Sequence, residues 1–129
     1  MQRNSLQAAR EAGPPSSSRP TVARMLEDII GCKWSVTILG LVRRGVCRPG
    51  AIERAMDGLT TKVMNERLAK LVRYGILRRV VFPEVPPHVE YQLTEFGEQF
   101  VGLLDAVEAL EAAWTARHPA GVQAREAMR

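Results

Sequence analysis

Between Thr60 and Phe82 the chain carries six basic side chains, Lys62, Arg67, Lys70, Arg73, Arg78 and Arg79, against a single acid, Glu66. That segment holds five net positive charges, more than the +4 of the whole chain. Cations concentrated in this way neutralise phosphates, and phosphate neutralisation is what holds a protein to duplex DNA. Asn65 is interleaved among them; its amide suits an adenine edge, and Lys62 suits guanine or a phosphate. Two thiols offer a second chemistry. Cys32 stands where a helix begins, so the helix dipole favours its thiolate, and Cys47 lies beside Arg43, Arg44 and Arg48. Either is a candidate redox sensor, and an inert, buried thiol is the competing reading of both.

Other chemistries find little footing. The cysteines are 15 residues apart with no CxxC pair, and His88 and His118 have no ligand-like spacing, so no metal is expected. No glycine-rich phosphate loop, HExxH or Ser-His-Asp set stands out, and neither an enzyme nor a cofactor is expected.

The elements that must position these groups follow from periodicity. VARMLEDII (22–30) places Val22, Met25, Leu26, Ile29 and Ile30 on one helical face ended by Gly31. KWSVTILGLVRR (33–44) reads as a second helix, closed by Arg43-Arg44-Gly45. Pro49 suits the first position of a third, short helix, with Ile52, Ala55 and Met56 inward and Gly58 ending it; Val46-Cys47-Arg48 could form a minor strand before it. Thr60 caps the basic helix, whose apolar stripe is Met64, Leu68, Leu71 and Val72, and Gly75 stops it. Two helices joined by a tight turn, the second basic and amphipathic, form a helix-turn-helix.

Ile76 to Phe82 and Val89 to Leu93 read as two strands. Pro83, Pro86 and Pro87 between them exclude helix and ladder, leaving a loop. This is a wing. Thr94 caps a last helix to about Arg117, with large apolar residues at Phe96, Phe100, Leu103, Val107, Leu110 and Trp114, spaced as a coiled-coil seam. Val101 and Leu104 widen the stripe. Glu95, Glu98, Asp105, Glu108 and Glu111 are its charges up to Trp114, with no base among them, so this helix should face away from phosphates. The expected fold class is α+β, mostly helical: a winged helix-turn-helix with a two-stranded wing and a long C-terminal dimerisation helix.

Hydrophobic content of 46% and charged content of 25% fit one globular domain. No apolar run reaches the roughly 20 residues of a membrane span, and the first residues lack a secretory signal. PPSSSRP is disorder-prone, which predicts a flexible arm over 1–19, a folded domain over 20–117 and a flexible tail over 118–129. A reducing, cytoplasmic setting is expected.

IIGCKW (29–34), GLTTKVMNERLAKLVRYGILRR (58–79) and FPEVPPHVEYQLTEFG (82–97) together resemble the HxlR family of bacterial winged-helix transcription regulators. The likeness runs from about Leu26 to Ala113. Family members have a Gly-Gly-Lys-Trp turn before the second helix and a wing reading Pro-Glu-Val-Pro-Pro-Arg-Val-Glu-Tyr that leads into Leu-Thr-x-x-Gly. The resemblance implies a homodimer, joined through the first and last helices, that binds a pseudo-palindromic operator as a repressor or activator. Val22, Met25, Leu26 and Ile29, with Phe100, Leu103, Val107, Leu110 and Trp114, would then form the dimer contact. Redox, electrophile or metabolite stress is the signal such relatives answer, some of them through one cysteine ahead of the first helix. Counting back from Lys33-Trp34, that place falls at about Thr21, which is no thiol. Cys32 also replaces a glycine of the turn, and His88 replaces the wing arginine.

The DNA-facing candidates are Thr60, Thr61, Lys62, Asn65, Glu66, Lys70 and Arg73 on the basic helix, Arg78, Arg79 and His88 on the wing, and Lys33 before Trp34. A solvated surface is the rival reading of each, and His88 reads equally well as a plain loop histidine. Arg67 lies close enough to the stripe to pack or to pair. Trp34 reads as core. A protein–protein interaction module docking through its acidic helix is the rival to DNA binding, and a small-molecule or redox effector is compatible with either.

Overall fold

A computed structural model describes residues 19–119 of the 129. The expected arm and tail otherwise lie outside the described residues. The elements run α1 (Val22–Ile30), α2 (Lys33–Arg43), α3 (Pro49–Ala55), α4 (Thr61–Arg73), β1 (Leu77–Phe82), β2 (His88–Leu93) and α5 (Glu95–Arg117).

Three of the helices start on a threonine. Thr21, Thr60 and Thr94 stand extended at the N-caps of α1, α4 and α5, and each Oγ1 accepts from the amide three residues on, at Arg24, Val63 and Gly97. Each such cap stabilises its helix by about 1 kcal/mol. Pro49 begins α3 at a position where its missing N–H costs nothing.

The core forms where these helices meet. Met25 and Ile29 of α1, Ile38 and Leu39 of α2, Ile52 of α3 and Met64, Leu68 and Leu71 of α4 are buried together with Ile76, Leu77, Phe100, Val101 and Leu104. Trp34 packs on this cluster from outside, and its ring edge lies 4.0 Å from where a Cβ at Gly58 would stand, beneath the approach to α4.

The wing is a two-stranded antiparallel ribbon in register from Leu77↔Leu93 to Phe82↔His88. Its strands start one residue off the expected positions at Ile76 and Val89. The strand expected at Val46-Cys47-Arg48 does not form. Arg48 is already the N-cap of α3 and Pro49 has no N–H to offer a ladder, so the segment supplies one acceptor alone, the Cys47 carbonyl, to the Tyr91 amide at 2.8 Å. That bond still docks the wing on the helical body.

Where the wing returns to the body, the Thr94 hydroxyl donates to the Gly75 carbonyl and the Thr94 amide to the Ile76 carbonyl at 3.1 Å. Gly75 takes φ +75°, which suits glycine. The start of α5 is then pressed so tightly on this turn that a Cβ at Gly97 would lie 2.0 Å from the Ile76 carbonyl oxygen. Only the first half of α5 meets the core. Beyond Asp105, Val107 is half-buried, while Leu110 and Trp114 are 72% and 50% exposed. Arg43 at the end of α2 grips Asp105 with two hydrogen bonds of 2.7 and 3.0 Å, tying α2 to the middle of α5.

Candidate nucleic-acid interface

Burying Met64, Leu68 and Leu71 leaves α4 with an outward arc. At about 100° per residue, Lys62, Asn65, Glu66, Ala69 and Arg73 share roughly 100° of the helix circumference. All five are exposed. Their chemistry is two cations, one amide, one carboxylate and a methyl, the repertoire with which a recognition helix meets base edges and flanking phosphates. Among the described residues, neither Lys62 nor Arg73 has a salt-bridge partner.

Other candidates are occupied within the chain. Lys70, about 40° beyond the edge of the arc, pairs with Asp28 of α1 at 2.7 Å. The Thr61 hydroxyl donates to Glu53 of α3, fixing the first turn of α4. The Thr60 hydroxyl serves as the cap. Arg67 is half-buried, with its Nε buried and lacking a hydrogen-bond partner among the described residues.

On the wing, Arg78 and Arg79 are both exposed. Arg78 reaches across the ribbon to Gln92 Oε1, with Nε at 3.2 Å and Nη2 at 3.1 Å. Arg79 has no such partner among the described residues. His88 lies in a strand of the wing and not in its loop. It opens β2, stacks on Phe82 with centroids 4.6 Å apart, and keeps its side chain only 17% exposed. Nδ1 lies 3.1 Å from Glu84 and Nε2 lies 3.3 Å from Glu90, so two carboxylates face the ring that was to meet phosphate. Lys33 is exposed at the first position of α2, with Nζ 5.0 Å from the Trp34 ring centroid, a cation–π contact.

The two thiols differ. Cys32 is the half-buried N-cap of α2, and its side chain makes no capping hydrogen bond. Burial pushes the thiol up, but the Ser35 amide and hydroxyl, the Trp34 amide and the charge of Arg67 outweigh it and hold it below the ordinary thiol value. Cys47 moves the other way, raised by burial and by the Glu90 carboxylate, with Arg48 offsetting only part. Thr21, where the family's sensing cysteine was expected, is instead the cap of α1.

The dimer candidates divide. Met25, Ile29 and Phe100 are spent in the chain's own core, and Leu26 packs against it, whereas Val22, Leu103, Leu110 and Trp114 are exposed. Of these candidates the exposed group offers the most apolar surface to another molecule. Asp28, Tyr74, Glu53 and Gln92 escaped the sequence reading, because each acts on a residue distant in the chain and no local pattern marks it. Among the described residues no group of three or more His, Cys, Asp or Glu is placed to hold a metal, and no helix is long and apolar enough to cross a membrane.

The model of the family described as HxlR-like helix-turn-helix matches residues 29–119. The chain belongs to the HxlR family. It is a transcriptional regulator with a helix-turn-helix DNA-binding fold. The HTH-type transcriptional regulator YtcD of Bacillus subtilis is 36% identical over 91 residues, which cover 70% of this chain and 69% of YtcD. Two further regulators of this type are matched over 64% and 60% of their own lengths. Among solved structures, one described as a MarR-family regulator from Enterococcus faecalis V583 superposes with TM-score 0.69 at 25% identity, covering 84% of this chain and 96% of that one. The redox regulator HypR in its reduced form gives TM-score 0.62 at 27% identity, covering 81% and 99%. The HxlR assignment thus embraces α4, the wing and α5.

Proposed function

We propose that the chain is a homodimeric repressor that reads a pseudo-palindromic operator in bacterial cytoplasm, with α4 in the major groove and the wing on the flanking backbone. The observation that carries this reading is the solvent-facing arc of Lys62, Asn65, Glu66, Ala69 and Arg73 on a helix whose opposite face is locked into the core. Lys62 and Asn65 meet base edges, with Glu66 beside them. Arg73, Arg79 and Lys33 serve the phosphates, with the backbone amides at the start of α4, while Arg78 is held across the ribbon by Gln92. His88 and Lys70 are left out of this set, their polar atoms being engaged inside the chain.

Salt dependence tests the docking. Each neutralised phosphate contributes about −0.9 to the slope of log affinity against log salt, so three cations from each protomer, about six contacts in the dimer, give a slope near −5. An affinity indifferent to salt excludes it and favours an interaction module working through acidic α5.

Pairing of protomers is supported by the apolar, exposed end of α5. Replacing Leu110, 72% exposed, by glutamate places a charge in that seam without touching the monomer core. Sedimentation should then show monomers with native helix content; an unchanged mass in solution would move the interface elsewhere.

The signal this reading favours is oxidant or electrophile attack at Cys32, a chemistry consistent with the likeness to HypR. The thiolate is the nucleophile, so a thiol held below its ordinary value reacts faster near pH 7, and its rate levels off at lower pH than that of a free thiol. Cys47, shifted upward, should still be accelerating at that pH. Mass spectrometry after brief alkylation should find the label on Cys32 first; preferential labelling of Cys47 would reverse the assignment.

A further inference from the structure

Asp28 belongs to α1, outside every element assigned to DNA, yet it holds two side chains of the reader helix. Its Oδ2 lies 2.7 Å from Lys70 Nζ and accepts the Tyr74 hydroxyl hydrogen bond at 2.5 Å. Lys70 and Tyr74 are four residues apart, so they rise from the same side of the helix one turn apart. The ion pair is sheltered, with the Lys70 and Asp28 side chains only 28% and 32% exposed. Asp28, Lys70 and Tyr74 line an open polar cleft of about 430 Å³ with Arg24 and Glu27.

The hydrogen bonds from Lys70 and then Tyr74 hold the Asp28 carboxyl below its usual range, so it is ionised at neutral pH. A pair this near the surface adds little stability by itself. Its effect on charge is larger. An ammonium already neutralised at 2.7 Å attracts an approaching phosphate weakly, and taking it for DNA would leave the Asp28 carboxylate without its cation.

We infer that Asp28 is a positioning residue for DNA binding, which holds Lys70 at the rim of the reader helix so that the side-chain phosphate contact of α4 falls to Arg73 while Lys62 and Asn65 face the bases. Lys70 is a withheld cation, and α1 sets how much positive charge α4 presents. The inference rests on the DNA-docking reading of α4.

The test is the slope of log affinity against log salt on a random-sequence duplex, measured for the full chain. Asp28→Asn keeps the side-chain shape and an acceptor for Tyr74 but frees Lys70. The expected slope is steeper by about 1.8 for the dimer, one added phosphate per protomer, with tighter random-DNA binding at low salt. Lys70→Met alone should leave the wild-type slope unchanged, and adding it to Asp28→Asn should restore that slope. A purely structural role for Asp28 would alter melting without this pattern.

A natively folded Asp28→Asn protein with the wild-type slope overturns the inference. So does a Lys70→Met slope shallower by about 1.8 for the dimer, because each Lys70 would already be on a phosphate. Should Asp28→Asn fail to fold, the Lys70→Met result decides alone. A flat slope for the wild-type chain overturns the docking reading itself, and the inference with it.

Discussion

Asn65→Ala and Lys62→Ala should each reduce the preference for operator over random duplex by about 5- to 150-fold, the equivalent of roughly 1–3 kcal/mol for a lost base contact. Both side chains are exposed and face away from the core, so their removal should leave unfolding within about 0.5 kcal/mol of wild type. Arg73→Ala is the natural contrast. Its proposed partner is a phosphate in each half-site, so it should weaken both duplexes by the same factor and flatten the salt slope by about 1.8 for the dimer. Competition binding with operator and random duplex, beside a denaturant melt, separates these outcomes. Equal losses on the two duplexes for Asn65→Ala would remove it from base reading.

The second large effect concerns stability. Replacing a helical glycine by alanine ordinarily stabilises by about 1 kcal/mol. At Gly97 the sign should invert, because the new methyl would meet the Ile76 carbonyl oxygen at 2.0 Å, and a backbone oxygen in a turn has nowhere to go. Relieving the clash means lifting α5 from the Gly75-Ile76 turn, which also breaks the Thr94 hydroxyl bond to Gly75 and loosens Phe100 and Val101 from the core. Overpacking costs about 1–3 kcal/mol where side chains can adjust; with backbone as the obstacle, a loss of about 3 kcal/mol or more is expected for Gly97→Ala. Gly102 is the control: a Cβ there meets nothing within 4 Å, so Gly102→Ala should follow the ordinary rule. Urea unfolding of the pair checks it, and equal stabilities would contradict the close approach.

These two predictions draw on different layers of the sequence. The reader helix was legible from its residues, since a threonine cap, the Met64-Leu68-Leu71 stripe and the Gly75 stop each have a local cause. The wing was legible too, because three prolines between alternating apolar runs leave only a loop. The resemblance supplied Leu-Thr-x-x-Gly as a pattern, but its cause is tertiary: Thr94 must reach Gly75, and Gly97 must clear Ile76.

What stayed hidden depends on contacts across the chain. Asp28 and Tyr74 are 46 residues apart, and nothing in either neighbourhood names the other. The same holds for Lys70, read from its charge as a phosphate ligand and found in an ion pair. His88 was open between a DNA contact and a plain loop histidine, and no local pattern showed that the Phe82↔His88 register would draw the ring onto an aromatic. For the last helix, the seam spacing was visible, but not that Phe100 would be spent inside the monomer while Leu110 and Trp114 stayed outside.

The central claim is that two copies of α4 read two half-sites of one duplex. Selection of bound sites from a pool of random duplexes tests it most directly. The prediction is an enriched inverted repeat with half-site centres about one helical turn, roughly 34–36 Å, or a multiple of it, apart, and its loss in Asn65→Ala. A pool that remains random after repeated rounds, or an enriched site without two-fold symmetry, would contradict it.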